Sequence, residues 1–260
     1  MINDEFNAPF VKFLNQNFNP EQHVIFCKRV FKDIDMPVGP NVFEVKTYKQ
    51  IKFNKYDKIF CHSLFNHELI YLLYNNRRVL NKTYWVVWGG DLYNPDIENL
   101  QSNYVKSKVK GYLLFAKEDK KIIEKKYKII SAKHRFFPIE YPLSINLDKL
   151  KEFPLKKGNT IQINNSADFS TLEILYKLAK YKNKIKIQTV TSYGNMKYAK
   201  KIKIIGKQIF GDNFLTLDNY LSSSDYLKFI SQADVYIGNQ NRQQGTANID
   251  MFLLLGKKFL

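Results

Sequence analysis

A polar loop near the end of the chain carries the residue types that bind a diphosphate. Residues 238–246 lie between an apolar run, 233–237, that predicts a buried strand and a second one, 247–255, that predicts a helix. Gly245 lets a ligand approach the backbone, and the first N–H groups of the helix point at that position. Arg242 adds a planar, permanently charged guanidinium that suits a phosphate. The sequence therefore predicts a nucleotide-diphosphate site formed by Arg242, Gln243, Gln244, Gly245 and Thr246.

Two other polar segments are expected at the same edge of that sheet. The polar segment 164–168, which includes Asn165, Ser166 and Asp168, follows a strand predicted over residues 160–163 and supplies N–H and O–H donors to a phosphate or a sugar. Tyr193 follows the next predicted strand, 185–190, where its ring would stack on a base. Two simpler interpretations stay open, namely that Asp168 only caps the following helix and that Tyr193 is merely exposed.

A second cluster follows an aromatic strand predicted over residues 84–88. Gly89 and Gly90 permit a tight turn and the close approach of a substrate, and Trp88 and Tyr93 flank them on the predicted acceptor side. Asp91 is positioned to take a proton from a hydroxyl group or to hold sugar hydroxyls. The alternative is that Asp91 caps the next helix while Trp88 belongs to the core.

His62 follows the strand predicted over residues 58–61 and is the second candidate for activating an acceptor hydroxyl. Histidine is the side chain that titrates closest to neutrality, although a single histidine is equally compatible with a structural role. Asp91 is preferred over His62 as the base because two glycines beside it leave room for a sugar. The remaining histidines show no spacing with cysteine or acidic residues that would form a metal site.

The chain divides into two runs of alternating strand and helix signals. The first covers residues 1–140, and the second covers 159–260. The linker between them, 141–158, contains Pro142 and Pro154 and has little periodicity. Strands separated by helices predict parallel sheets, so we expect two facing Rossmann-like α/β domains. Ligands of such sheets bind at the carboxyl ends of the strands.

A formal net charge of +17 is the strongest compositional feature. One interpretation is that the lysines cover solvated helix faces. The other is attraction to a polyanion, either an anionic membrane, where each nearby basic residue contributes about 1 kcal/mol, or a nucleic acid. The lysines recur in groups at positions 106–110, 120–128, 180–186 and 197–207.

Cysteine content and apolar runs give expectations about the cellular compartment. Cys27 and Cys61 both lie in apolar contexts and are expected to be reduced core thiols of a cytoplasmic protein. The sequence shows neither the pattern of a signal peptide nor an apolar run of membrane-spanning length, so a soluble or peripheral protein is expected.

The second half of the chain resembles the donor domain of GT-B glycosyltransferases. The resemblance lies in the strand Ala233-Asp234-Val235, the ligand loop after it, and the helix that ends at Gly256-Lys257. Within that superfamily the chain resembles glycosyltransferase family 56, the TDP-N-acetylfucosamine:lipid II N-acetylfucosaminyltransferases. The motifs that carry this closer resemblance are Trp88-Gly89-Gly90-Asp91-Leu92-Tyr93, Asn165-Ser166-Ala167-Asp168 and Arg242-Gln243-Gln244-Gly245.

This resemblance implies transfer of N-acetylfucosamine (4-acetamido-4,6-dideoxygalactose) from its dTDP-sugar onto a lipid-linked saccharide acceptor. The reaction would occur at the cytoplasmic face of the bacterial inner membrane, in the synthesis of enterobacterial common antigen or a related surface glycan. The first domain would present the acceptor and the second would hold dTDP. No metal cofactor is expected, because helix N-termini and basic side chains can hold a diphosphate.

Compared with the family pattern, the chain is expected to be short at both ends. The family pattern has a strand before the element at residues 3–6 and further elements after the position of residue 260, and this sequence does not contain them. The second domain is therefore expected to be incomplete at its C-terminus. Two other functions remain open. A basic nucleic-acid-binding protein would explain the charge, although no recognition motif supports it and no nucleic-acid partner is expected. A catalytically inactive glycan-binding relative would explain the short ends.

Overall fold

The computed structural model describes residues 1–2, 7–30, 32, 34–130, 134–139, 158–164, 170–192, 195–219, 221–238 and 245–260. The chain forms two compact units, Met1–Pro142 and Leu143–Leu260. Nearly all of the predicted linker lies outside the described residues. Within the ranges given above, no helix has both the length and the apolar character needed to cross a membrane.

Unit 1 begins with a helix and a small parallel sheet. Helix α1 (Asn7–Asn17) buries Phe10 and Val11, which its apolar spacing predicts. Strands β1 (Ile25–Cys27) and β2 (Val42–Glu44) pair in parallel, with Ile25 opposite Val42. The sequence did not predict β2, because its three residues are mostly exposed and lack an inward apolar pattern.

The main sheet of unit 1 has four parallel strands in the order β3-β4-β5-β6. These strands are β3 (Ile59–His62), β4 (Thr83–Val87), β5 (Gly111–Leu114) and β6 (Arg135–Pro138). All five residues of β4 are buried, as expected for a central strand covered on both faces. Since the strands are parallel, the residues at their carboxyl ends share one edge of the sheet.

Helices connect these strands, and asparagine caps set where three of them begin. Helices α2 (His67–Tyr74) and α3 (Arg77–Leu80) join β3 to β4, α4 (Gly90–Tyr93) and α5 (Leu100–Lys108) join β4 to β5, and α6 (Asp119–Tyr127) joins β5 to β6. The side chains of Asn66, Asn76 and Asn99 each accept a hydrogen bond from a backbone N–H in the first turn of α2, α3 and α5.

Unit 2 contains one five-stranded parallel sheet with the order β11-β10-β7-β8-β9. Its strands are β7 (Thr160–Asn164), β8 (Lys186–Val190), β9 (Phe214–Leu217), β10 (Val235–Ile237) and β11 (Lys258–Phe259). Its helices are α7 (Ser170–Leu178), α8 (Met196–Phe210), α9 (Ser223–Ser231) and α10 (Thr246–Leu254). The chain runs outward from β7 in one direction through β8 and β9 and in the other through β10 and β11. The sheet therefore has the Rossmann strand order.

Both faces of this sheet are covered by apolar helix surfaces. Ile163 and Ile187 point to one face and pack with residues of α7 and α8, such as Leu175 and Ile202. Tyr236 points to the other face and packs in a cluster with residues of α9 and α10. The unit is therefore a doubly wound α/β sheet, as the alternating signals predict.

Two elements that the sequence did not predict, α5 and β6, have different causes. Helix α5 turns Ser102, Val105 and Lys106 inward, so its buried face is mainly polar in type. Strand β6 ends at Pro138, a residue that disfavours strands; an edge strand tolerates a proline because its outer N–H groups need no partner.

Candidate functional site

Aromatic rings line the carboxyl edge of the main sheet in unit 1. His62 ends β3, Trp88 directly follows β4, and Phe115 directly follows β5. The ring centroids of His62 and Trp88 are 6.4 Å apart, and those of Trp88 and Phe115 are 5.3 Å apart. Phe10 of α1 completes the row, 5.0 Å from His62. The structure thus brings His62 and Trp88 to one edge, as their positions after adjacent strands predict.

Asp91 lies beneath this edge and is occupied by hydrogen bonds from the chain itself. Its carboxylate accepts from the backbone N–H of Leu64 at 2.8 Å and of Trp88 at 3.0 Å, and from the indole N–H of Trp85. Only 1% of Asp91 is exposed. These donors come from the segments after β3 and β4, so the carboxylate fixes one segment to the other. Of the two interpretations of Asp91, this geometry favours a structural carboxylate.

The turn before Asp91 depends on glycine. Gly89 precedes α4 with a φ of 83°, a conformation that other residues rarely adopt. A Cβ at Gly90 would meet no atom within 4 Å in the described part of the chain, so space is open beside it. The first glycine shapes the turn, and the second leaves room at the aromatic edge.

Lys106 is a buried cation under the same turn. Its ammonium group donates to the Asp91 carbonyl oxygen at 2.6 Å and lies 5.2 Å from the centre of the Trp85 ring. Burial lowers the pKa of Lys106 to about 8, against the opposing effect of the Asp91 charge. The sequence placed Lys106 among the solvated or polyanion-binding lysines. That assignment is wrong, because none of its surface is exposed.

His62 is held neutral. Burial, and secondarily the positive charge of the N-terminus, lowers the pKa of His62 to about 3. A neutral imidazole can accept or donate a hydrogen bond at neutral pH, but it is a weak proton acceptor. Ser63, the next residue, has a φ of 70°, and its buried hydroxyl has no hydrogen-bond partner among the described residues. Backbone strain of this kind costs free energy and is concentrated at functional sites.

Tyr93 and Asp119 form a further polar pair near this edge. The Tyr93 hydroxyl donates to one Asp119 oxygen, and the other oxygen is buried without a partner in the described ranges. Burial raises the pKa of Asp119 from its usual range, against the opposing effect of that hydrogen bond. The sequence motifs did not include Asp119, although it lies shortly after β5 just as Asp91 lies shortly after β4.

In unit 2 the corresponding edge contains the point where the strand order reverses. Strands β7 and β10 are neighbours, and the chain leaves them towards opposite sides of the sheet. Doubly wound sheets bind their ligands in the crevice at such a point, outside the carboxyl ends of the strands. Asn164 ends β7, and Gly245 directly precedes α10, the helix that follows β10.

Asn164 and Gly245 lie against each other at this point. Gly245 has a φ of 64°, and a Cβ there would be 2.3 Å from the side-chain nitrogen of Asn164. Helix α10 begins at Thr246, as the sequence predicts, and its first turn points at this position. The glycine therefore lets the helix N-terminus approach the end of β7 closely.

Most of the predicted donor-binding residues lie outside the described residues. These are Asn165, Ser166, Asp168, Tyr193, Arg242, Gln243 and Gln244. Gly245 and Thr246 are described and lie at the helix start. The roles of all nine remain predictions. Asn164 opens the polar segment 164–168 that the sequence predicts to supply donors, and the structure makes it the last residue of β7, one residue beyond the predicted strand.

The described side chains include no group of three or more His, Cys, Asp or Glu residues arranged to hold a metal ion. Cys27 and Cys61 are buried free thiols, as the sequence predicts. The donors at the unit 2 edge are instead amide and backbone N–H groups, which suit an anionic or oxygen-rich ligand.

Comparison with solved structures agrees with this architecture. The chain is similar to a UDP-forming α,α-trehalose-phosphate synthase from Burkholderia xenovorans, with a TM-score of 0.53 and 10% identity over 80% of this chain and 57% of that one. It is also similar to a UDP-GlcNAc 2-epimerase from Neisseria meningitidis bound to UDP-GlcNAc, with a TM-score of 0.49 and 14% identity over 90% and 74% of the two chains. The chain spans 52% to 57% of the length of the first trehalose-phosphate synthases that it matches.

Parallel sheets with covering helices in both units, together with the match to the trehalose-phosphate synthase at a TM-score of 0.53, define a GT-B type of α/β fold. Residues 32–259 match the family described as 4-alpha-L-fucosyltransferase, glycosyl transferase group 56. The match covers most of the chain, so the protein belongs to glycosyltransferase family 56. The resemblance that the sequence motifs indicate is thus confirmed at the level of the family.

Proposed function

We propose that this chain is a glycosyltransferase that takes N-acetylfucosamine from a dTDP-sugar and transfers it to a lipid-linked saccharide. The observation that carries the proposal is the reversal point of the unit 2 sheet, where Gly245 brings the start of α10 against the end of β7. Membership of the 4-alpha-L-fucosyltransferase family supports transfer of a fucose-like sugar. The choice of dTDP and of a lipid-linked acceptor follows the sequence resemblance.

The donor side needs to stabilise a departing diphosphate. When the acceptor oxygen bonds to the anomeric carbon, the bond from that carbon to the diphosphate breaks and negative charge grows on dTDP, while the proton of the acceptor hydroxyl passes to an oxygen of the departing diphosphate. The N-terminal N–H groups of α10 and the guanidinium of Arg242 would stabilise that charge. Because these groups are already cationic or hydrogen-bond donors, we propose that transfer proceeds without a metal cofactor.

The acceptor side would use the aromatic edge of unit 1. Trp88 and Phe115 offer ring surfaces for the apolar face of a sugar, and Gly90 leaves space beside them. His62, neutral at physiological pH, would orient the acceptor hydroxyl through a hydrogen bond. Asp91 would hold the segments that carry these groups, and we assign it positioning in place of proton transfer.

We also propose peripheral attachment to the cytoplasmic face of an anionic inner membrane. The charge of +17 supports electrostatic attraction, and Phe13 and Phe18 are 41% and 58% exposed. Phe10, which the same reasoning would include, is instead buried against His62. Flotation with anionic vesicles that weakens at high salt would support attachment, and equal recovery with neutral vesicles would contradict it.

Nucleotide binding tests the central proposal. We expect dTDP to raise the melting temperature and to bind more tightly than UDP or ADP in calorimetry, because ligand binding stabilises the native state. With dTDP-N-acetylfucosamine and a lipid-linked acceptor, free dTDP should be released. Arg242→Ala should weaken dTDP binding by about 1.5–3 kcal/mol, the range for a hydrogen bond to a charged group.

The matched control is Arg78→Ala, an exposed arginine of α3 in the other unit. It removes the same charge and should leave dTDP affinity unchanged. A chain that binds DNA or RNA with steep salt dependence and ignores all nucleotide diphosphates would overturn the proposal in favour of the nucleic-acid alternative. Binding of dTDP without any transfer would favour the inactive relative.

A further inference from the structure

The side chain of Asn164 is held in one orientation by two residues behind it. The Tyr226 hydroxyl donates to the Asn248 side-chain oxygen at 2.8 Å. The Asn248 side-chain nitrogen in turn donates to the Asn164 oxygen at 3.0 Å. Tyr226 lies on α9 and Asn248 on α10, so two helices fix the amide at the end of β7. In this orientation the side-chain nitrogen of Asn164 faces away from Asn248 and Tyr226.

That nitrogen is buried and has no hydrogen-bond partner among the described residues. Asn164 as a whole is 2% exposed. Nearly all buried polar groups in proteins have a partner, so an exception calls for an explanation, such as a bound ion or water that completes it. The backbone oxygen of Asn164 is satisfied, since it accepts from the Thr171 hydroxyl at 2.9 Å. Among the polar groups of the Asn164 side chain, only the nitrogen lacks a hydrogen-bond partner in the described residues.

The direction of this N–H group indicates what would complete it. The nitrogen lies against Gly245, where a Cβ would be only 2.3 Å away, so it is next to the first turn of α10. Gly245 offers no side chain that could cap the helix. The amide and the helix N-terminus are both donors, and they converge from β7 and α10 on the same place. A group with several acceptor oxygens and negative charge fits this convergence best.

We propose that the side-chain amide of Asn164 donates a hydrogen bond to a diphosphate oxygen of the nucleotide donor, and that Asn248 and Tyr226 are positioning residues for it. This inference rests on the proposed function of unit 2. It gives one residue of the polar segment 164–168 a specific role and adds Asn248 and Tyr226, to which the sequence motifs assigned no role. A sugar hydroxyl or a base would need an acceptor as well as a donor. The diphosphate needs donors alone.

The test compares dTDP with thymidine, which lacks phosphates, by calorimetry on the full chain. Asn164→Asp keeps the shape and the oxygen that Asn248 binds, but it replaces the N–H donor with a charged oxygen. It should weaken dTDP binding at least tenfold while changing thymidine binding less than threefold. Asn159→Asp, an exposed exchange at the amino end of the same strand, adds the same charge and should change dTDP affinity less than twofold.

Two further variants keep the result decisive. Asn164→Ala removes the donor without adding charge and replaces the Asp variant if that protein fails to fold; it too should lose dTDP affinity selectively. Tyr226→Phe should weaken dTDP binding several-fold in the wild-type background. It should have no such effect in the Asn164→Ala background, because we expect the Tyr226 hydroxyl to act on dTDP through the Asn164 side-chain amide. A purely structural role for Tyr226 would give the same loss in both backgrounds.

The outcomes separate the two proposals. Unchanged dTDP affinity in folded Asn164 variants, with tight binding by the wild type, would overturn this inference and leave the proposed function standing. Equal losses for dTDP and thymidine would place the amide against the nucleoside and also overturn it. Failure of the wild type to bind dTDP or UDP would overturn the proposed function, and this inference with it.

Discussion

The two sheets of this protein carry opposite chemistry at the same edge. In unit 1 the carboxyl ends of the strands carry aromatic rings, and the buried Asp91 carboxylate has all its hydrogen bonds supplied by the chain. In unit 2 the end of β7 carries Asn164, whose N–H group is unmatched in the described residues. The Asp91 carboxylate is satisfied by its own chain, whereas the Asn164 amide leaves a donor for a ligand.

This difference shows that a buried polar residue after a strand has two possible uses. Asp91 satisfies three donors from neighbouring segments, so removing it should affect stability. The Asn164 side-chain oxygen accepts a hydrogen bond from Asn248, but its side-chain nitrogen has no partner among the described residues. Changing Asn164 should therefore affect ligand binding. The contrast gives three predictions beyond those above.

The largest expected effect is at Asp91. Asp91→Ala should lower the free energy of unfolding by about 3–5 kcal/mol, because it leaves three buried N–H donors without their acceptor and removes the negative charge beside the Lys106 cation. Urea denaturation measures this loss. Below the transition, dTDP affinity should be unchanged if unit 2 alone holds the nucleotide.

Asp96→Ala is the matched control, since Asp96 is exposed five residues away and should cost little. The comparison would fail if Asp91→Ala or Asp91→Asn kept normal stability while turnover fell by about 10²-fold, the range expected for a lost general base. Asp91 would then be the proton acceptor that the sequence suggested.

A smaller effect is expected at Gly245. Gly245→Ala should destabilise the protein by about 2–4 kcal/mol, of which roughly 1–2 kcal/mol is the cost of a side chain at positive φ. The remainder comes from overlap with the Asn164 amide. The melting temperature and dTDP affinity should both fall.

Gly211→Ala places a side chain at a positive φ where no other atom is close. Gly211 has a φ of 56° and a ψ of −128°, and a Cβ there would meet nothing within 4 Å in the described part of the chain. This variant should lose stability through its backbone conformation alone and keep dTDP binding. A loss of dTDP affinity equal to that of Gly245→Ala would mean that close approach at Gly245 is unimportant for binding.

The smallest effect is the pH dependence from His62. Its folded pKa is about 3, below the 6.5 of the free side chain, so the unfolded chain binds a proton that the folded chain does not. Stability should therefore fall on acidification below pH 6.5, with a slope approaching 1.4 kcal/mol per pH unit from this residue, roughly one proton. Urea midpoints between pH 6.5 and 4.5 would measure it.

His62→Phe should flatten this pH profile, because the ring is kept and the titration removed. The same change at the exposed His67 should leave the profile as it is in the wild type. Asp119 acts with the opposite sign, since its raised pKa adds stability as pH falls. Parallel profiles for wild type and His62→Phe would show that His62 is protonated normally in the folded state.

Local signals were sufficient where apolar periodicity was strong. Strands β4 (Thr83–Val87) and β10 (Val235–Ile237) form where the runs 84–88 and 233–237 predict them, and α10 starts directly after Gly245. Prediction failed where buried faces are polar, as in α5, or where strands are short and exposed, as in β2. In those elements tertiary contacts outweigh the sequence pattern.

By itself the sequence determined the alternation of strands and helices, the parallel sheets that follow from it, the family, and the positions of the polar residues at strand ends. Tertiary structure alone decided what those residues touch. Asp91 and Asn164 both follow buried strands, and nothing in their neighbouring residues distinguishes a saturated carboxylate from an amide with a spare donor. The difference arises because their partners, Leu64 for one and Asn248 for the other, are distant in the chain and meet them only after the sheets form.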